Sequence, residues 1–332
     1  MYLLTLSKAV FCLIIGFILS IIVGCILIPF LRKFKLNQTL NIYLRQSHSL
    51  KQGTPTMGGF IFIIPPLLAI IILTIIGKIN ISYNFIVVIF TFICYSLIGF
   101  IDDFLIIKEG NNKGLSEKAK LILQIVVALI FFYLFMKAGN EPLLWIHSFG
   151  IKWHIGWFYG IFILFILVAS SNAVNLTDGL DGLAGGLSFL AFMTFGILSL
   201  NAGWLNGYEE IAIFCFLLSG SLLGFLIFNS YPAKVFMGDT GSLSLGATLG
   251  AISIITRHEL LLTIVGFVFV IETLSCIIQR IYFKFTKKRI FPMTPIHHSF
   301  EKKGFKEQDI IKIFWIAGFI ASSISIIFGV CL

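Results

Sequence analysis

The sequence contains the stretch AVFCLIIGFILSIIVGCILIPFL, which extends from Ala9 to Leu31 without one charged side chain. A helix of this length crosses about 30 Å of hydrocarbon, which is the thickness of a membrane interior. The stretch is too long for the apolar core of a signal peptide, and no small-residue cleavage site accompanies it. We therefore interpret it as a first membrane span.

The composition of the whole chain agrees with this interpretation. Of the 332 residues, 58% are hydrophobic and only 12% are charged, whereas a soluble domain carries about 25% charged residues. The mean hydropathy of +1.01 excludes an ordinary soluble globular protein. The six cysteines lie mostly inside apolar runs and lack the spacing of a zinc or redox site. We expect an all-α polytopic membrane protein forming a single integral-membrane domain over residues 1–332.

Ten apolar segments follow one another along the chain, and each is predicted to be a transmembrane helix. Their predicted bounds are 9–31, 58–77, 84–107, 119–137, 156–173, 183–201, 210–228, 242–256, 260–283 and 308–330. An even number of spans places both termini on the same side of the membrane.

The distribution of basic residues predicts which side that is. Nineteen of the 24 Lys and Arg residues fall in, or next to, the loops that follow odd-numbered spans. Because positive residues collect in cytoplasmic loops, these loops are expected to be cytoplasmic and both termini periplasmic. The net charge of +9 therefore reflects topology and attraction to anionic lipid headgroups. Nucleic acid is not an expected partner.

The segment between the fourth and fifth spans alternates apolar and other residues with a period of two. Leu143, Trp145, Trp153 and Trp157 belong to this pattern, and Gly150 lies near its middle. Such alternation around a glycine predicts a β-hairpin, and its tryptophans are suited to the headgroup region. We expect a short hairpin at the periplasmic surface.

The aspartates are concentrated on the predicted cytoplasmic side. The six are Asp102, Asp103, Asp178, Asp181, Asp239 and Asp309. Asp102 and Asp103 interrupt the third apolar run, and a carboxylate at mid-membrane costs about 2.5–3.5 kcal/mol on insertion scales. The adjacent pair therefore indicates either a bound cation or, more simply, the interfacial end of a helix.

Two glycine-rich segments carry the other aspartates. In NLTDGLDGL, Asn175, Asp178 and Asp181 are spaced by three, so a helical turn would place them on one face. The neighbouring glycines let backbone N–H groups approach a phosphate. In FMGDTGSL, Asp239 precedes the eighth span, where it is either a ligand or a helix cap.

Further polar residues lie near the same predicted surface. His297 and His298 are in a basic loop, where adjacent histidines are ordinarily exposed to solvent, and Lys51 precedes the second span. Glu272 lies inside the ninth span, which indicates either a functional site or a polar contact with another span.

Taken together, these segments supply carboxylates, amides, a lysine and histidines to one membrane surface. Hard oxygen ligands suit Mg²⁺, the ion stabilises phosphate charge, and cationic or N–H donors position a diphosphate. The combination predicts Mg²⁺-dependent transfer of a phosphorylated group.

The motifs GTPTMGG, the Asp102–Asp103 pair, NLTDGLDGL, FMGDTGSL and PIHHSFE occur in this order. With them, the chain from about Leu44 to Leu332 resembles the phospho-N-acetylmuramoyl-pentapeptide transferases of the polyprenyl-phosphate N-acetylhexosamine-1-phosphate transferase superfamily. One departure is visible, because this family commonly has three consecutive histidines and Ser299 stands at the third position.

The resemblance implies a bacterial cytoplasmic (inner) membrane enzyme with its active site on the cytoplasmic face. Its substrates would be UDP-N-acetylmuramoyl-pentapeptide and undecaprenyl phosphate, its products UMP and lipid I, and its cofactor Mg²⁺. This reaction is the first membrane step of peptidoglycan synthesis. The resemblance also implies a homodimer.

The resemblance further implies roles for individual residues. The catalytic positions would be Asp102, Asp103, Asp239, His297 and His298, and Asp239 would also bind the metal. The substrate-binding positions would be Lys51, Asn175, Asp178, Asp181, Asn229, Phe236 and Gln279. Phe236 is placed to stack on uracil, and one of Asp102 and Asp103 would act on the lipid phosphate.

Several alternatives stay open at this stage. A sister enzyme would transfer N-acetylglucosamine-1-phosphate, although TPTMGG and HHSFE favour the muramoyl branch. A secondary transporter would use Glu272 as an ion site, but transporters usually contain internal repeats, and none is visible. Direct attack by the lipid phosphate and a two-step route through a nucleophilic aspartate are both compatible with the sequence.

Overall fold

The computed structural model describes residues 2–33, 53–109, 114–146, 150–203, 205 and 207–331. Within these ranges the chain forms twelve α-helices and one two-stranded sheet. The helices are α1 (Tyr2–Lys33), α2 (Phe60–Ile75), α3 (Tyr83–Glu109), α4 (Glu117–Lys137), α5 (Phe158–Thr177), α6 (Leu183–Leu200), α7 (Tyr208–Asn229), α8 (Gly238–Ile255), α9 (Leu261–Val265), α10 (Phe267–Thr286), α11 (Ile296–Lys302) and α12 (Glu307–Ile326).

The helices confirm a multi-pass helical membrane protein. Among the described residues, seven helices are long and apolar enough to cross a membrane, namely α1, α3, α4, α5, α6, α7 and α12. The shorter α2 is also apolar. Each of the ten predicted segments coincides with helical structure. The count of ten spans and the periplasmic termini remain predictions.

The predicted hairpin is present between α4 and α5. Strands β1 (Leu143–Ile146) and β2 (Ile151–His154) pair antiparallel, with Leu143 opposite His154. The side chains of Trp153 and Trp157 are exposed, as expected for aromatic residues that rest in a headgroup layer. The hairpin lies at the opposite end of the helices from the aspartates.

The ninth predicted span, 260–283, corresponds to two helices rather than to one continuous helix. The structure divides it at Gly266 into the short α9 and the longer α10. The Gly266 N–H bonds to the Leu262 carbonyl at 2.8 Å and closes α9. Hydropathy measures how apolar a segment is and does not detect a break in the backbone. The two helices were therefore predicted as one span.

Helix α8 lies in the centre of the molecule, and every residue from Thr240 to Ile255 is buried. It contacts α3 and α5 along most of its length. Gly99 permits the close approach of α3, because a Cβ atom there would lie 2.1 Å from the Asp239 carbonyl oxygen. This packing brings the first turn of α8 against the end of α3 that carries the adjacent aspartates.

Candidate active site

Asp239 is the point at which three helices converge. One of its carboxylate oxygens accepts a hydrogen bond from Asn175 Nδ2 of α5 at 2.7 Å. The other lies 2.5 Å from Lys120 Nζ of α4. Lys120 Nζ is also 3.1 Å from Asp102 Oδ2 of α3. One ammonium group therefore lies between two carboxylates that are far apart in the sequence.

Lys120 is a site residue that the sequence analysis missed, because it was counted only among the charges that set topology. The structure places it in the first turns of α4, whose N-cap Ser116 accepts a hydrogen bond from Ala119 N at 3.2 Å. A signal was available. Lys120 and Gln124 are polar residues four apart in an apolar helix, and such residues share one face.

The adjacent aspartates of α3 face different partners. Asp103 accepts hydrogen bonds from Asp239 N at 3.1 Å, from Thr240 N at 3.0 Å and from the Thr240 hydroxyl at 2.6 Å. It thus caps the N-terminus of α8, where Gly238 has a φ of +73°. Asp102 instead accepts from Leu115 N at 2.7 Å and meets Lys120.

The predicted common face of Asn175, Asp178 and Asp181 is wrong. Helix α5 ends at Thr177, and Asp178 is its C-cap. Beyond it the chain turns, so Asp181 Oδ2 accepts a hydrogen bond from Ala233 N at 2.9 Å while Asn175 points to the α8 terminus. Because α5 ends before Asp178, the three side chains do not lie on one helix face.

Asp181 and Asn229, both predicted to bind substrate, connect loops to one another. The Asp181 N–H donates to Glu307 Oε1 at 2.8 Å. Asn229 Oδ1 accepts from Gly182 N at 3.0 Å, and its Nδ2 donates to the Val235 carbonyl at 3.0 Å. Both side chains are buried. In this structure they shape the loops around the site, and their direct contact with substrate remains a prediction.

His297 and His298 lie on the short helix α11 and are buried, so the expectation of solvent-exposed histidines is wrong. His297 Nδ1 is 3.1 Å from Glu272 Oε1, and both side chains have no exposed surface. His298 Nδ1 is 2.5 Å from Glu301 Oε2. A Cβ atom at Gly179 would lie 2.4 Å from His297 Nε2, so the imidazole faces the loop after α5.

Ser299, which replaces the third histidine of the family motif, bonds to Met293. Its hydroxyl donates to the Met293 carbonyl and accepts from Met293 N at 3.3 Å. Gln279 Oε1 accepts from Ile290 N and Phe291 N, both at 3.0 Å. Ser299 and Gln279 therefore both hold the segment between α10 and α11, and substrate binding by Gln279 remains a prediction.

Phe236 is half-buried, and its backbone is fixed by the GTPTMGG motif. Its N–H donates to the Pro55 carbonyl at 2.8 Å, and its carbonyl accepts from Gly58 N at 2.8 Å. Two motifs that lie far apart in the sequence therefore meet beside Asp239. Lys51 lies outside the described residues.

The residues around Lys120 suit a divalent cation. Among the described residues no three His, Cys, Asp or Glu side chains are grouped as a metal cluster. Mg²⁺, however, is usually held by one or two carboxylates together with substrate phosphates and water. Asp102 and Asp239 provide two carboxylates that already share one cation, the Lys120 ammonium.

The fold and the site together define a multi-pass helical membrane protein with a charged, partly buried centre at one end. The sequence model described as glycosyl transferase family 4 matches residues 85–257, which include Asp102, Lys120, Asn175 and Asp239.

Curated relatives named phospho-N-acetylmuramoyl-pentapeptide-transferase match nearly the whole chain. The relative from Bacillus licheniformis is 44% identical, over 95% of this chain and 96% of its own length. Those from Bacillus subtilis strain 168 and Oceanobacillus iheyensis are 43% and 40% identical, again over 95% of this chain and over 96% and 95% of their own lengths. The chain belongs to the phospho-N-acetylmuramoyl-pentapeptide transferase family.

Proposed function

We propose that this chain transfers phospho-N-acetylmuramoyl-pentapeptide from UDP-N-acetylmuramoyl-pentapeptide to undecaprenyl phosphate. The products are UMP and undecaprenyl-diphospho-N-acetylmuramoyl-pentapeptide, which is lipid I. The names of the relatives support this reaction. The observation that carries it in the structure is the convergence of Asp102, Lys120, Asn175 and Asp239 at one end of the helices.

The proposed reaction is a direct displacement at the phosphorus next to the sugar. An oxygen of the lipid phosphate forms a bond to this phosphorus, the bond to the bridging oxygen of the diphosphate breaks, and UMP leaves with that oxygen. Asp102 accepts a proton from the lipid phosphate, because the carboxylate of Asp103 is already occupied by the first turn of α8. Lys120 offsets the negative charge that develops on the diphosphate.

Mg²⁺ is the proposed cofactor, with Asp239 as the residue that would hold it. When bound, the ion supplies electrostatic stabilisation of the phosphate charge. His297 and His298 lie next to the loop after α5 and are proposed to bind the phosphates or the sugar. Phe236 is proposed to stack on uracil.

An apolar cavity supports binding of the lipid substrate. It has a volume of about 320 Å³ and lies between α5, α8, α9 and α10. Its lining follows α5 from Phe162 to Val174 and includes Ala169, Leu249 and Phe269. Because Val174 immediately precedes Asn175, which contacts Asp239, a prenyl chain in this cavity would place its phosphate beside the site.

We further propose that all ten segments span a bacterial cytoplasmic membrane, with this site on the cytoplasmic face, and that the chain acts as a homodimer. The basic loops support the orientation. Trp153→Cys should react with an impermeant thiol reagent in intact cells, whereas Arg289→Cys should react only after permeabilisation. Labelling of Arg289→Cys in intact cells would overturn the orientation. Light scattering of the purified protein tests the dimer.

The transferase activity is tested by mass spectrometry of the lipid formed from both substrates. Lipid I and UMP are expected in equal amounts, and Asp239→Asn should abolish both. The competing reaction is tested in parallel with UDP-N-acetylglucosamine as donor. A lipid carrying only N-acetylglucosamine-1-phosphate would assign the chain to the sister activity. Glu272, on which a transport function would rest, contacts His297 beside this site, and no further observation favours transport.

A further inference from the structure

A second layer of polar side chains lies one helical turn from the charged centre. Gln124 follows Lys120 by four residues on α4, and Asn172 precedes Asn175 by three on α5. Residues three or four apart share a helix face, so each member of this layer lies on the same face as a residue that contacts Asp239.

The layer joins three helices. Asn172 Nδ2 donates to Gln124 Oε1 at 2.9 Å, which links α5 to α4. The Tyr95 hydroxyl of α3 donates to the Gln124 carbonyl at 3.3 Å. Tyr95 precedes Asp102 by two helical turns. The three helices linked here are those that carry Asp102, Lys120 and Asn175.

Packing alone does not explain an amide at position 124. The side chain is 1% exposed, and its Nε2 has no hydrogen-bond partner among the described residues. A buried donor without a partner costs free energy, whereas methionine has a similar length and carries no such donor. The side-chain atom of Gln124 that links the helices is therefore Oε1, which accepts the hydrogen bond from Asn172 of α5.

We propose that Gln124 is a positioning residue, whose bond to Asn172 fixes α4 against α5 so that Lys120 and Asn175 reach the same carboxylate. This inference rests on the proposed function for its kinetic consequence. A displacement of about 1 Å in a catalytic group lowers a rate by roughly 100-fold. Loss of the bond between the two amides should therefore lower the rate far more than it lowers the stability.

The first test compares single variants with an exchange of the pair. Gln124→Met should lower kcat roughly 10- to 100-fold, with less than threefold change in KM for the UDP-linked substrate. Asn172→Gln should also lower kcat. The double variant Gln124→Asn with Asn172→Gln keeps the combined length of the two amides and should recover most of the rate. Full activity of Gln124→Met, or a double variant no better than its singles, would overturn the proposal.

A second readout does not depend on turnover. In the wild type, Lys120 is held between two carboxylates. In Gln124→Met, Lys120 should react faster when the full-length protein in detergent is treated with an amine-modifying reagent, as measured by mass spectrometry of the proteolytic peptide that contains Lys120. An unchanged rate of modification would contradict the positioning role, even if wild-type protein made no lipid product. Absence of lipid product from the wild type would instead refute the proposed function.

The matched control is a similar pair of amides at the other end of α3. Asn140 Nδ2 donates to Asn84 Oδ1 at 2.8 Å. Asn140→Ala removes a comparable hydrogen bond and should leave kcat and the modification of Lys120 unchanged. If Asn140→Ala altered both as strongly as Gln124→Met, general loosening of the helices would explain the result and the proposal would fail.

Discussion

The Asp103 carboxylate accepts two hydrogen bonds from Thr240, one from its backbone N–H at 3.0 Å and one from its hydroxyl at 2.6 Å. Asp103 is on α3 and Thr240 is in the first turn of α8, which has no side-chain cap of its own. Neighbouring residues of an α-helix point about 100° apart, so Asp102 turns to Lys120 instead. The adjacent aspartates therefore have separate roles.

The separation predicts different effects of two conservative substitutions. Asp102→Asn should lower kcat roughly 10²- to 10⁴-fold, the range for loss of a general base, and should change the melting temperature little. Asp103→Asn weakens the cap of α8 and should lower the melting temperature more. Steady-state kinetics and thermal unfolding of both variants check this. A larger loss of stability in Asp102→Asn would require the two roles to be exchanged.

Phe236 is predicted to recognise the nucleoside. Stacking of an aromatic side chain on a base is worth about 1–3 kcal/mol, so Phe236→Ala should weaken the UDP-linked substrate roughly 5- to 150-fold. The backbone bonds to Pro55 and Gly58 do not involve the ring and should persist. KM for undecaprenyl phosphate should hardly change, and Phe236→Trp should keep most of the affinity. Equal losses for both substrates would indicate a packing role.

Glu272 is predicted to act through His297. Glu272→Gln and His297→Gln should each lower kcat, and the double variant should be no slower than the slower single variant, because both changes disrupt one interaction. Ser275→Ala is the control, since its hydroxyl bonds to the backbone carbonyl of Glu272 within α10 and not to the carboxylate. Multiplicative effects of the two substitutions in a double-mutant cycle would show that the residues act independently.

The apolar cavity is predicted to hold the prenyl chain. Ala169→Phe places a ring in its lining, and overpacking typically costs about 1–3 kcal/mol. KM for undecaprenyl phosphate should therefore rise roughly 5- to 150-fold, with KM for the UDP-linked substrate unchanged. Ile161→Phe is the control, because this exposed position on α5 lies outside the cavity lining. Equal effects of the two substitutions would argue against the assignment.

A pH effect is predicted at the opposite end of the molecule. Burial raises the pKa of Glu259, in the loop between α8 and α9, to about 7, although Tyr159 and Arg257 partly oppose the rise. Because the folded protein binds this proton more tightly than the unfolded chain, Glu259 contributes most stability below pH 4 or so. That contribution is lost as pH rises to about 7.

The comparison with Glu259→Gln isolates this effect. Melting temperatures of the two proteins should be measured between pH 4 and pH 8. The stability of the wild type relative to the variant should fall between about pH 4 and about pH 7 and become constant above about pH 7. A difference that grows with pH would mean that the charged form of Glu259 is the stabilising one.

The sequence alone predicted much of this arrangement, because hydropathy locates apolar helices. It also predicted that Asp102, Asn175 and Asp239 lie at one membrane surface. It missed Lys120, since the spacing of Lys120 and Gln124 indicates a shared helix face but does not link Lys120 to Asp239, 119 positions away. It placed His297 in solvent, because the buried partner Glu272 belongs to another helix. Contacts between distant segments are fixed by packing, which a single sequence records only indirectly.

The buried position of α8 has a consequence for how the chain enters the membrane. Rich in glycine, serine and threonine, α8 is not among the seven helices apolar enough to cross lipid on their own. In the folded protein, its buried residues from Thr240 to Ile255 are shielded from lipid by neighbouring helices. Both α3 and α5 precede it in the chain. During synthesis, the helices that receive α8 are therefore made before it emerges, and its insertion becomes a step of tertiary assembly rather than of partitioning into lipid.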